Sequence, residues 1–155
     1  MGDFTKFRTV IIELTELFLE LATTEQEKLQ AITKNNLKGL EESMKQEQVG
    51  IMKLKGLEKR REESQAALGL SGMSFKEVIE NLDGQQVLDL SQLYTNLEEA
   101  LSLFNQNAES AKTAIETNLY SIESALEQLN EKENTNKTKE DAETKRPKSF
   151  SSTRV

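Results

Sequence analysis

The chain has 155 residues, of which 30% are charged, 35% hydrophobic and only 5% aromatic, with one Pro and no Trp. Neither Cys nor His occurs, which excludes disulfides, thiolate metal sites and the usual near-neutral general base. Residues 1–129 carry 13 basic and 22 acidic side chains, a net −9, whereas residues 130–155 carry 7 and 5. An acidic body repels a phosphate backbone, so nucleic acid is not an expected partner.

The abundant Leu, Glu, Lys, Gln and Ala suit long helices with thin cores. From Phe4 a 3-4 alternation runs through Phe7, Ile11, Leu14, Phe18, Leu21, Glu25, Lys28 and Ile32. Apolar residues fill it except at Glu25 and Lys28, and neither Gly nor Pro interrupts it. This predicts one coiled-coil-like helix over about 3–33. The opening MGDFTKFRTVIIELTELFLEL offers an unbroken apolar run of only Val10-Ile11-Ile12 before Glu13, Glu16 and Glu20. It is read as neither a targeting signal nor a membrane span, so a cytoplasmic protein is expected.

Asn35-Asn36 follows. Asparagine tolerates the left-handed conformation that ends one helix and also caps the next, so the pair predicts a tight turn between antiparallel helices. Leu37, Leu40, Met44, Ile51 and Leu54 then carry the seam of a second helix, about 36–68. Its later EKRREESQ mixes signs at i, i+3 and i+4, the pattern of a solvated, salt-bridged face. GLSGMS at 69–74 is a loop; without GxxxxGK[ST] or a preceding strand it is not a phosphate cradle. Ser74-x-x-Glu77 has the form of a capping box, with Met73 and Val78 as its hydrophobic staple. Asp83-x-x-Gln86 repeats the device with Leu82 and Val87. A short helix of about 75–82 is expected between them, with Phe75, Val78, Ile79 and Leu82 on one face.

The last helix, 85–129, carries the strongest signal. Val87, Leu90, Tyr94, Leu97, Leu101, Phe104, Ala108, Ala111, Ile115, Asn118, Ile122, Ala125 and Leu129 recur at alternate threes and fours, and only Asn118 is polar. Residues 131–155 lack apolar content and are expected to be disordered. The chain is thus expected to be all-α. It should form a helical domain over 1–130, an elongated antiparallel bundle or coiled coil of three long helices plus a short one.

Length shapes the functional reading. The second helix spans roughly 48 Å and the last roughly 68 Å at ~1.5 Å per residue. The final third of the last helix should run parallel to the first helix, near the Asn35-Asn36 turn, where Glu25 and Lys28 make the first helix polar. Ile115, Leu119, Ile122, Leu126 and Leu129 are therefore expected to be open to another molecule. Burying five such side chains supplies roughly 7–15 kcal/mol gross, less the cost of association. A homodimer, or a structural coiled-coil adaptor, would bury the stripe equally well. No enzyme is expected: adjacent carboxylates such as Glu41/Glu42 or Glu98/Glu99 point in different directions around a helix. No cofactor or metal is implied, and the first helix lacks the basic face of a membrane-surface helix.

The sequence resembles the FlgN-type flagellar export chaperones over about residues 10–129. The likeness lies in VIIELTELFLELATTEQEKLQAI, the restart KNNLKGLEESMKQEQ, the EKRREE stretch before the Gly/Ser loop, SFKEVIENL and the terminal IETNLYSIESALEQL. It departs from the family in the last helix, where paired asparagines often stand three apart; here the nearest are Asn105 and Asn107. The resemblance implies a cytoplasmic chaperone of the flagellar type III system. Such a chaperone binds the C-terminal helices of hook–filament junction proteins, prevents their early assembly and delivers them to the export gate. It also implies that the C-terminal part serves the client, with Ile115, Leu119, Ile122, Leu126 and Leu129 as contacts and Tyr120 as a further one. SFSSTRV at the end of the chain is read as part of a solubilising tail, with a short docking peptide for the export apparatus, carrying Phe150 as its one large apolar residue, as the alternative.

Overall fold

A computed structural model describes residues 4–136, and within its last helix the side chains of Ile122, Ala125, Leu129, Asn130 and residues 132–136 lie outside that description. Four helices follow in order: α1 (Thr5–Thr33), α2 (Leu37–Ala67), α3 (Phe75–Glu80) and α4 (Gln85–Asn136). The all-α architecture of three long helices and one short one is as expected. The short helix ends at Glu80 rather than residue 82. The last continues to Asn136, six residues into the stretch read as tail; Glu and Lys there are good helix formers, and an established helix propagates without a new nucleus. The rest of the expected tail, 137–155, lies outside the described residues.

The chain reverses where the sequence places its turns. Asn35 adopts a left-handed conformation (φ 57). Asn36 N–H reaches Ala31 O at 2.8 Å and Asn35 N–H reaches Ile32 O at 3.2 Å, the paired bonds that close a helix C-terminus around a left-handed residue. The Asn36 side chain then accepts from Gly39 N–H at 3.0 Å to start α2. The same closure ends α2 around Gly69 (φ 76), with Leu70 N–H to Gln65 O and Gly69 N–H to Ala66 O. At α3 the expected capping box forms in full: Ser74 Oγ accepts from Glu77 N–H, and Glu77 accepts from Ser74 N–H. The expected Asp83 cap does not form. Gly84 (φ 70) stands immediately before Gln85 and sets the start of α4 instead.

Helix α1 is the spine. It packs against α2 on one flank and α4 on the other, and α3 packs on α4. Among the described residues no Cα of α2 comes within 8 Å of one of α4. The apolar core lies at the N-terminal end of α1, where Phe4, Phe7, Val10, Ile11 and Leu14 meet Val78 of α3 and Leu90 of α4. Phe75 of α3 lies 5.5 Å from the Phe7 ring and 5.0 Å from the Tyr94 ring, centroid to centroid. Farther along, Gly50 lets α1 and α2 approach closely: a Cβ there would stand 2.4 Å from a Leu21 methyl.

Candidate functional site

Three contacts fix α4 beside α1 in parallel. The Arg8 guanidinium bonds the Asp89 carboxylate at 2.7 Å, the Phe18 and Phe104 rings lie 5.8 Å apart, and Asn107 Nδ2 donates to Ala22 O at 2.9 Å. The last two pairs imply an offset of about 85 residues, which brings the end of α1 at Thr33 level with about residue 118. From there to Asn136 is about 18 residues, or ~27 Å of helix, beyond the level at which α1 ends. Asn107, one of the asparagines by which the sequence departs from its resemblance, helps set this register.

The expected stripe divides along that boundary. Ile115 and Leu119 are half-buried, Ile115 beside the last turn of α1 and Leu119 at its limit. Leu126, beyond the boundary, is 42% exposed. Ile122 and Leu129 were expected in the same stripe, and their side chains lie outside those described. Tyr120 is 71% exposed; it follows Leu119 directly, so it projects about 100° around the helix from the stripe.

Glu25 and Lys28, expected to make α1 polar opposite the stripe, do something else. Lys28 Nζ lies 3.0 Å from Glu47 of α2 and 3.4 Å from Glu25. All three residues are buried, and Oε2 of Glu25 has no hydrogen-bond partner. Burial, followed by the hydrogen bond to Glu47, pushes the Glu25 carboxyl up to about 7, with Lys28 opposing. The cluster joins α1 to α2, and by the register above Glu25 and Lys28 stand level with about residues 110 and 113 of α4, within about a turn and a half of Ile115. What leaves the end of α4 uncovered is the length of the helix, not polarity in its neighbour.

Sequence reasoning also missed Gln65. The run EKRREESQ reads as solvated, and Arg60 does bridge to Glu13 of α1 at 3.0 Å near the surface. Gln65, however, is 3% exposed, and its Nε2 donates to Leu70 O and Met73 O. It holds the loop that leads into α3. Only its i+4 spacing from Arg61, whose guanidinium donates to Gln65 Oε1, offered a hint.

None of the described helices is long and apolar enough to cross a membrane. The sequence model of the family described as FlgN protein matches residues 1–144. No curated protein and no solved structure matches the chain. The chain belongs to the FlgN family, flagellar export chaperones that bind hook-associated proteins and are not enzymes.

Proposed function

We propose that this member of the FlgN family holds hook–filament junction proteins by their C-terminal helices on the far end of α4. There it prevents their premature assembly in the cytoplasm and delivers them to the type III export gate. The supporting observation is the overhang: α4 runs about 18 residues past the end of α1, and Leu126 on that stretch is 42% exposed. A client helix that polymerises through an amphipathic face finds there a substitute apolar edge, read at i, i+4 and i+7. The contact residues are Ile115, Leu119, Ile122, Leu126 and Leu129, with Tyr120 at the margin. Masking is the whole mechanism: the client's sticky face is covered until the export gate competes for it.

Calorimetry of the full chain with a peptide from the C-terminal helical region of a junction protein tests this. The double variant Leu119→Asp/Leu126→Asp should lower affinity at least tenfold; unchanged affinity overturns the assignment. Sedimentation equilibrium of the same variant separates client binding from self-association. A dimer lost together with Leu126, with no peptide binding by the wild type, makes the stripe a homodimer seam instead.

A further inference from the structure

A bundle built around a central spine has four natural positions around its axis, and this chain supplies three long helices. The fourth position is taken at one end by α3. Its Phe75 ring packs at a tilt against Tyr94 of α4 and Phe7 of α1, and its Val78 is fully buried in the core. Counting along α4 from Tyr94 by sevens gives Leu101, Ala108 and Ile115, all in the same helical phase to within about 20° per step. These residues continue the surface that α3 covers, but α3 has only six residues and ends at Glu80. Leu101 is consequently 38% exposed, and Ala108 and Ile115 are half-buried.

Helix α2 supplies the other wall. Its Ser43, Glu47, Gly50 and Leu54 turn toward α1, while Val49 and Lys53 line a separate outer groove between α1 and α2. Met44 and Ile51 sit on the opposite flank from Val49, toward the space between α2 and α4. Met44 is half-buried, Ile51 is 42% exposed and Leu37, one heptad before Met44, is 78% exposed. The antiparallel contacts Arg60–Glu13, Gly50–Leu21 and Glu47–Lys28 fix the level of each turn. With the α1–α4 register they put Ile51 across from about residue 108 and Met44 across from about residue 115. Two apolar walls thus face a common trough, which α1 floors and which α3 leaves uncovered for about 27 Å between Leu101 and Leu119.

On the α4 wall the charge is one-sided. Between residues 96 and 131, α4 carries seven Glu and a single Lys. Under the floor, two buried carboxylates, Glu25 and Glu47, share one ammonium, and one carboxylate oxygen has no donor.

We infer that the trough between α2 and α4, beyond the end of α3, is the seat of a client helix that completes a four-helix bundle. Its apolar stripe lies on Ile51, Met44, Leu101 and Ile115, its flanks carry Lys or Arg toward the acidic α4, and it continues onto the overhang. The choice of a client helix rests on the reading given under Proposed function. The occupant's chemistry rests on the acid excess of α4, since like charges would repel an acidic helix from that wall. Clients would then be held along two helices of the chaperone rather than at one tip, with α3 as the stop that fixes where the bound helix ends.

The test uses the full chain and the same junction-protein peptide. Ile51→Asp/Leu101→Asp should weaken binding at least tenfold, and Met52→Asp, on the 72% exposed outer side of α2, should leave it unchanged. Replacing the peptide's Lys and Arg by Gln should weaken it at least fivefold at low salt. Because the chain has no Cys, a benzophenone attached at Ile51→Cys gives a readout that needs no destabilising charge: it should cross-link the peptide, while one at Met52→Cys should not. If only the Leu119/Leu126 variant loses affinity and Ile51→Cys gives no cross-link, the trough is overturned and the overhang reading stands. If the trough variants lose affinity and the Leu119/Leu126 variant does not, the overhang assignment falls and the trough remains. Loss from neither set overturns both.

Discussion

The two ends of this bundle are built on different physics. At the end where α1 begins, Phe7, Ile11, Leu14, Val78 and Leu90 are all at most 2% exposed, four aromatic rings meet edge-on or tilted, and α3 closes the open side of the bundle. At the end where α1 turns into α2, the interior holds Ala22, Ala31 and Ile32 together with an ionic cluster, and among the described residues nothing takes the place of α3. The first arrangement gains from apolar area and costs little in specificity. The second gives up area for a fixed register, since Lys28 must meet Glu25 and Glu47 together, and it leaves apolar edges of α2 and α4 uncovered. On the function proposed above, the first end stays folded when empty and the second presents the exposed faces that a client would complete.

Removing packing at the closed end should have the largest effect. Phe7→Ala deletes a fully buried ring that contacts both Phe4 and Phe75, and is expected to cost about 3–5 kcal/mol. Urea unfolding followed by circular dichroism measures it. A loss below about 1 kcal/mol would mean that the aromatic cluster does not anchor the fold, and the contrast between the ends would fail.

Much of this contrast was legible in the sequence, for reasons that differ by residue. The seam from Phe4 to Leu21 shows because a 3.6-residue repeat forces apolar side chains onto one face. Asn35-Asn36 and Ser74-x-x-Glu77 show because cap and turn chemistry is local. The breaks at Glu25 and Lys28 were visible as breaks, but their partner Glu47 was not, because pairing across helices depends on a register that no local pattern fixes. The trough was illegible for the same reason. Met44 and Ile51 read as seam residues like Leu54, whereas Met44 is only half-buried and Ile51 is 42% exposed. The Asp83 motif misled, since its form matched Ser74's while the adjacent left-handed Gly84 set the helix start.

An intermediate effect sharpens the comparison through pH. The Glu25 carboxyl is raised from an ordinary value of 4.5 to about 7 by burial and its hydrogen bond to Glu47, so the folded chain binds a proton there more tightly than the unfolded chain does. Between about pH 4.5 and 7 the folded state holds more protons, and this group's contribution to stability falls as pH rises. Glu25→Gln keeps the shape without the charge. It should stabilise the chain by on the order of 1–3 kcal/mol at pH 8 and by little near pH 4. Equal stabilisation at both pH values would show that Glu25 stays ionised throughout and that the cluster carries its full charge at all times.

The smallest effect concerns the turn that bounds the open end. Asn36 accepts from Gly39 N–H at 3.0 Å and is exposed, so Asn36→Ala should cost about 1 kcal/mol, the usual worth of an N-cap. Asn35→Gly should be neutral or gain a few tenths of a kcal/mol, because φ 57 strains any residue with a Cβ. What distinguishes the two ends is where the loss is felt. Local opening is set by the contacts that cross a region, and few apolar ones cross the bundle at this turn. Asn36→Ala should therefore speed amide exchange at the start of α2 and the end of α1 while Phe7–Leu14 stays protected. If protection fell equally at both ends, the bundle would open as one unit, and the turn end would not be free to adjust around a client.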